Sequence, residues 1–357
     1  MTDTTSRILT IPSNAGGQRL DIALQQILPE HSRSRLQAWI KDGLVTLNQT
    51  TVTAKTRVWG GEEVKINLPK SHQEYAFQPE NIPLDIVFED DAMMVINKPS
   101  GLVVHPAAGN WHGTLLNAIL YHAPQLSEIP RCGIVHRLDK DTSGLLVIAK
   151  TLEAQTSLVR QLQARTVKRE YRAIVWGQLW RNGTINQPVG RNPHNRLKMA
   201  IVRSGKPAVT RYEVLERFGT NTYLRCNLET GRTHQIRVHM QHLKAPLVGD
   251  PLYGIGNIIP HKLMTETLKQ VILHFNRQAL HAIKLGLLHP ITEQAMEWQI
   301  ELPEDMKVLL DAMRCDDADQ EEENNPFDFN VDETGLYVAE YDTDDSDWDD
   351  EIEDDVF

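Results

Sequence analysis

Cysteine is scarce in this 357-residue sequence: Cys132, Cys226 and Cys315 are the three, and none stands in a C-x-x-C spacing. An odd, scattered set of thiols offers neither a disulfide framework nor a thiolate zinc site, and it fits a reducing cytosol. No stretch approaches the roughly 18 apolar residues that a membrane-spanning helix needs. The opening MTDTTSRILTIPSNAGG lacks a basic-then-apolar leader pattern. A soluble, cytoplasmic, non-secreted protein with no membrane partner is therefore expected. No period of about 20 to 50 residues recurs, which argues against a solenoid. Finally, Asp316 to Phe357 contains no Lys or Arg.

That last absence governs the electrostatics. The whole chain sums to −11, yet 20 of its 48 acidic residues lie after Cys315. The preceding 315 residues hold 37 basic against 28 acidic residues, a net +9. A basic body suits a polyanionic partner such as nucleic acid, which the total charge would have argued against. In the tail, like-charge repulsion and few aliphatic residues predict disorder over 316–357. It reads either as a solubilising polyanion or as a competitor that folds back over the body and screens weak binding of a nucleic acid. A hydrophobic content of 41% leaves room for one large and one small domain.

Residues 1–17 read as a flexible lead-in, and residues 18–69 as a compact unit. QRLDIALQQIL has helical apolar spacing and is ended by Pro29; Ser32 and Ser34 are both plausible N-caps for RSRLQAWIKDG, which stops at Gly43. The segments LVTLN and EEVKINL read as short strands. Arg33, Arg35 and Lys41 lie off the apolar stripe of the second helix, where they form either a phosphate grip or an ordinary solvated face. Residues 70–83, polar and with two prolines, read as a linker. From Leu84, LDIVFEDDAMMVINKPSG predicts a β-hairpin turning at Glu89, Asp90 and Asp91.

Chemistry concentrates in GIVHRLDKDTSGLLVIAK, from Gly133 to Lys150. LLVIAK suits a strand buried on both faces, and HRLDKDTSG before it sets Asp139 and Asp141 among His136, Arg137 and Lys140. Read from the residues alone, this is equally a turn with a structural carboxylate or a catalytic loop. In KREYRAIVWG, alternation puts Tyr171, Ala173 and Val175 on one face of a strand. In THQIRVHMQHL, Thr233 is the expected cap of a helix whose Ile236, Met240 and Leu243 face inward beside Arg237. His234, His239 and His242 do not suggest a metal site, because only His239 and His242 share a helical face and zinc needs three or four convergent ligands. His105 and His112, in a Gly- and Pro-rich loop, are expected to face solvent.

HRLDKDTSGLLVIAK closely resembles the signature of the large-subunit type of RNA pseudouridine synthases. INKPSGLVVHP, KREYRAIVWG, GKPAVTRYEVL, ETGRTHQIRVHMQHL and PLVGDPLYG follow in the order expected of that family, to about residue 310. The unit at 18–69, with its R-L-D and SRSR, resembles the RNA-binding domain named after ribosomal small-subunit protein four. LVVHPAAGNWHG differs in detail from the family pattern, and the acidic tail is an addition to it.

The resemblance implies an α+β chain: the small RNA-binding domain, then at 84–315 a pseudouridine synthase domain on a mixed, largely antiparallel sheet. It implies that Asp139 is the nucleophile, that Arg237 pairs with it, that Tyr171 lies against the target base, and that Arg137 fills the space left by a flipped uridine. Arg232 is a weaker candidate for an RNA contact. The isomerisation involves no redox change and demands no cofactor or metal. The implied partner is large-subunit ribosomal RNA or a pre-ribosomal particle, bound by a monomer, with the helix 69 stem-loop as target. The alternatives are another ribosomal or transfer RNA site, or a non-catalytic RNA-binding assembly factor.

Overall fold

Leu20, Ala23, Leu24, Leu36 and Ile40 recur at helical spacing and are buried together with Val45, Val64 and Ile66. They fuse helices α1 (Leu20–Ile27) and α2 (Arg33–Lys41) to a sheet of β1 (Thr4–Thr10), β2 (Val45–Leu47), β3 (Thr50–Thr51) and β4 (Glu63–Pro69), in the order β1-β4-β2-β3. The computed structural model describes residues 4–69, 77–107, 110–254 and 264–323. Ser32 caps α2 by accepting from the Arg35 N–H, and Gly43 takes the left-handed φ of +73° expected past its end.

The lead-in expected over residues 1–17 is corrected. Residues 4–10 form β1, antiparallel to β4 from Thr4 opposite Pro69 to Thr10 opposite Glu63. The β4 edge left open by β2 supplies the ladder, so pairing rather than local pattern makes this strand.

The larger domain arranges its elements around one sheet. The strands are β5 (Ile86–Glu89), β6 (Met93–Lys98), β7 (Ser143–Ala149), β8 (Lys168–Trp176), β9 (Gly183–Asn186), β12 (Val209–Arg217), β13 (Asn221–Leu228), β14 (Leu280–Leu288) and β15 (Ala295–Gln299). Their order is β5-β6-β7-β14-β8-β13-β12-β9, with β15 also on β14. β10 (Val189–Arg191) and β11 (Met199–Ile201) form a separate hairpin. The sheet is antiparallel except where β7 meets β14, with Ser143 opposite His281 and Gly144 opposite Ala282. Gly144 has φ +114°, and a Cβ there would lie 2.2 Å from the Ala282 carbonyl oxygen, so only glycine lets the two strands meet.

Every residue of β7 is buried, as its unbroken apolar run predicts. Tyr171, Ala173 and Val175 of β8 face a core shared with α3 (Leu115–His122) and with Ile236 and Met240 of α5 (Gln235–His242). Ile174 and Trp176 face the opposite core, with α6 (Glu266–His274) and α7 (Glu304–Glu323). Helix α4 (Leu152–Ala164) covers β7 through Ala154 and Leu158.

Two boundaries shift. Of the expected linker, 70–76 lie outside the described residues. Residues beyond them dock onto the large domain: Gln78 O accepts from Asn117 Nδ2 at 2.8 Å, and Glu80 accepts from the Gly113 N–H at 2.9 Å. The acidic tail does not begin as free chain at 316, because α7 continues to Glu323. Asp316 accepts from the Thr265 N–H at 2.6 Å and Asp317 from the Gly219 N–H at 3.0 Å. Carboxylates are useful there as acceptors for otherwise unpaired N–H groups, one of them at the start of α6. Residues 324–357, the rest of the expected disordered tail, lie outside the described residues.

Candidate active site

The loop between Leu138 and β7 is polar because it leaves the core just before a fully buried strand, and its backbone is pinned from two directions. Lys98, at the end of β6 and fully buried, donates to the carbonyls of Pro99 at 2.7 Å, Leu102 at 3.0 Å and Lys140 at 2.9 Å. Three acceptors match the three N–H bonds of an ammonium group. Burial pulls the Lys98 pKa down to about 7, against the attraction of Asp141 and Asp139. From the other side, Arg277 donates to Asp141 O at 3.3 Å and Gln278 to Thr142 Oγ1 at 3.1 Å. Asp139 therefore stands on a braced loop, its side chain 15% exposed.

Arg237 meets it from α5, at 4% exposure. Its Nε and Nη2 donate as a fork to Asp250 at 2.7 and 2.8 Å, and Nη1 donates to Asp139 Oδ2 at 3.2 Å. The pairing of Arg237 with Asp139 is thus present in the structure, but the fork belongs to Asp250. Asp250 also accepts from the N–H groups of Leu252 and Tyr253, at 2.9 and 3.0 Å. Burial alone would lower the Arg237 pKa; Asp250 and then Asp139 outweigh it and raise it.

The expected Thr233 cap is replaced by His234, which precedes α5 in the left-handed conformation at φ 56°. That backbone turns its ring toward the site. Nδ1 lies 2.8 Å from the Tyr253 hydroxyl, which also accepts from the Met199 N–H at 2.7 Å, and Nε2 lies 3.9 Å from Asp139 Oδ1. Burial is the largest influence on His234 and lowers its pKa, so the ring is neutral at pH 7. The Arg237 guanidinium sits 5.0 Å from the centre of the Tyr253 ring. Met199 belongs to the β10–β11 hairpin, so this hydroxyl also ties that hairpin to the site.

Asp139, Arg237 and Tyr171 line one cleft of about 1020 Å³, together with Arg137 and Arg232. Tyr171 is buried, and burial raises its pKa, keeping the phenol protonated. Arg137 is exposed at the cleft, while Arg232 is half-buried and donates to Pro207 O at 3.1 Å. Arg33, Arg35 and Lys41 do not line this cleft. Arg33 is engaged with the buried Asp21 at 2.9 Å, because that carboxylate requires counter-charge, and Arg35 stacks over Trp39 at 5.4 Å. His105, expected in solvent, lines the cleft half-buried; His112 is exposed. His239 is used by Thr210 Oγ1 at 2.8 Å and Gln187 O at 3.0 Å, away from His234.

Sequence reasoning missed Lys98, His234, Asp250, Tyr253 and Arg277 as parts of the site. Lys98 carried a signal, a lone charge ending the apolar run MMVIN. Asp250 and Tyr253, in GDPLYG, carried none beyond turn composition.

Residues 92–242 match the family model of RNA pseudouridylate synthases, and residues 18–64 match that of the S4 domain. Over 306 residues the chain is 54% identical to ribosomal large subunit pseudouridine synthase D of Nitrosomonas europaea, covering 86% of this chain and 87% of that protein. To the protein of that name in Pseudomonas aeruginosa it is 53% identical over 317 residues, 88% of this chain and 98% of the other. Among solved structures, human RNA pseudouridylate synthase domain containing 4 is similar at a TM-score of 0.50 and 27% identity, over 64% of this chain and 92% of that one. No helix among the described residues is long and apolar enough to cross a membrane. With the signature loop, its arginine partner and the preceding S4 domain all in place, the chain belongs to the RNA pseudouridylate synthase family.

Proposed function

We propose that the protein converts specific uridines of large-subunit ribosomal RNA to pseudouridine, with the helix 69 stem-loop as target and Asp139 as nucleophile, acting as a monomer in the cytoplasm. The observation that carries this reading is the 3.2 Å contact of Asp139 with Arg237 at a cleft lined by Tyr171 and further arginines. The relatives named above support the ribosomal substrate.

The reaction is an isomerisation. The bond from the sugar to N1 of uracil breaks, the base turns within the cleft, and C5 bonds to the same sugar carbon. C5 gives up a proton and N1 gains one, so electrons balance without an oxidant. An enzyme for this needs an ionised carboxylate, a surface that keeps the detached base, and little water. Arg237 sets its positive charge and a hydrogen bond on one Asp139 oxygen and restricts rotation of that side chain. The protonated phenol of Tyr171 offers a ring face for the base and an O–H that can donate to it. A uridine must leave its stack to reach Asp139, and in this reading Arg137, exposed at the cleft, fills the gap.

Asp139→Asn tests the reading, because it keeps size and polarity while removing the charge. Site-by-site mapping of pseudouridine in large-subunit RNA incubated with each protein should show loss of product by at least about a thousandfold, with RNA affinity retained. Undiminished modification would sink Asp139 as nucleophile, and wild-type product outside helix 69 would reassign the target.

A further inference from the structure

Three arginines of the described residues are buried, and two of them own a carboxylate. Arg237 has Asp250 and Asp139, and Arg277 has Asp305 at 2.5 and 2.8 Å. Arg169 is the exception. It is 9% exposed, lines the catalytic cleft, and its buried Nε has no hydrogen-bond partner among the described residues. It stands two residues before Tyr171 on β8, so strand alternation puts it on the face that carries the phenol. Its charge falls on both neighbours: it adds to the burial that lowers the pKa of His136 to about 3, and it opposes the burial that raises that of Tyr171.

A buried guanidinium without an anion is costly, and such a group calls for an explanation outside the free protein. The cleft offers none from within. Of its two lining carboxylates, Asp139 is held by Arg237 and Glu229 is taken by Arg211 at 2.6 Å. The same wall adds Arg131 and Arg165. Gly231 lies against Arg169: a Cβ at that position would come within 2.6 Å of Nη1, so the absent side chain leaves the guanidinium its space.

We propose that Arg169 is an anion subsite of the catalytic cleft, and that its ligand is a phosphodiester of the substrate RNA adjoining the uridine held at Asp139. This rests on the reading of the cleft given under Proposed function. A phosphodiester carries one negative charge on two equivalent oxygens, which a guanidinium fork accepts in a bidentate pair. The phosphate completes the missing half of a buried ion pair, so correct placement of the backbone, and with it of the target sugar, becomes a condition for closing the site.

The test uses the full chain and a stem-loop RNA spanning a uridine that the wild-type protein modifies. Phosphates around that uridine are replaced singly by neutral methylphosphonates on 2′-deoxy sugars, each against its 2′-deoxy phosphodiester control. One linkage beside the target should weaken wild-type binding by about tenfold. Arg169→Met should bind the parent RNA about tenfold more weakly, with a salt slope reduced by about one, and be indifferent to that linkage. Arg169→Lys should recover part of the affinity, since it keeps the charge and loses the fork. If no single linkage matters to the wild type, or if Arg169→Met loses the same factor at each linkage, the subsite is wrong, and thermal melting of the variant identifies a merely structural arginine. Modification of the parent RNA in those outcomes leaves the catalytic reading standing. If the wild type forms no pseudouridine in any RNA, that reading fails and takes the subsite with it.

Discussion

Arg237 gives its two-pronged fork to Asp250 and a single, longer hydrogen bond to Asp139. The division separates anchoring from chemistry. Asp250 is itself fixed by two backbone N–H groups, so it locates the guanidinium before any substrate arrives. Asp139 then receives a directed charge from a rigid donor yet keeps an oxygen, Oδ1, that Arg237 does not occupy.

Asp250→Asn should therefore impair catalysis without touching a reacting atom. Losing the fork frees Arg237 to rotate away from Asp139, and rotational freedom of this kind costs about 10- to 100-fold in rate. The expected result is a fall in kcat of that order with KM for RNA little changed, together with a loss of about 3 kcal/mol in urea unfolding from breaking a buried pair. A variant with wild-type kcat would show that Asp139 alone suffices to hold the arginine.

Lys98→Met should act through the loop. Methionine fits the volume and removes the donor shared by the carbonyls of Pro99, Leu102 and Lys140, of which, among the described residues, only Lys140 O keeps another, from the Gly101 N–H, a cost of about 2 to 3 kcal/mol. Both stability and kcat should fall, while Ser100→Ala, which removes only a 3.2 Å bond to Asp141 O, should change kcat by less than about threefold. Equal effects of the two substitutions in unfolding and single-turnover assays would contradict the bracing role of the lysine.

Much of this site was legible in the sequence, and the rest was hidden for a physical reason. The buried strand at LLVIAK, the face that Tyr171 shares with Ala173 and Val175, and a serine cap at 32 or 34 follow from local periodicity and capping chemistry, which act over a few residues. The Asp139 to Arg237 contact spans 98 positions and came from family resemblance, not from spacing. Strand β1 and the fork on Asp250 depend on partners far along the chain that no local pattern announces. His234 carries no local mark of its place in the site, because nothing in the surrounding residues signals a left-handed backbone at a histidine.

In the small domain, Asp21 is fully buried beneath Arg19, Arg33 and Gln37. Burial would raise its pKa, but the hydrogen bonds from Gln37, Arg33 and Arg19 outweigh that and lower it. A depressed carboxylate contributes stability that is present above its unfolded value of about 3.9 and lost as pH falls through the folded one. Asp21→Asn should cost about 2 kcal/mol at pH 7 and progressively less toward pH 2, by chemical denaturation of the full chain. A penalty independent of pH would mean that shape rather than charge matters at this position.

His281 makes the opposite prediction for the large domain. It is buried at the parallel junction of β7 and β14, with Nδ1 2.8 Å from Ser143 Oγ. Burial, then the charge of Arg277, pushes its pKa down to about 4, with Asp305 opposing. The unfolded chain, with histidine near about 6.5, takes up this proton first as pH falls, so stability declines from about pH 6.5 and levels off below the folded value of about 4. The size of the decline from this one group is about 3 kcal/mol. His281→Asn keeps a polar partner for Ser143 and removes the titration. Its unfolding free energy should be lower than wild type at pH 7.5 but flatter between pH 6.5 and 4, by roughly that amount. His234 and His239, also held down by burial, leave a residual slope in both proteins. Parallel curves for the two proteins would show that His281 is protonated in the folded state, and that the Ser143 contact is made by an imidazolium.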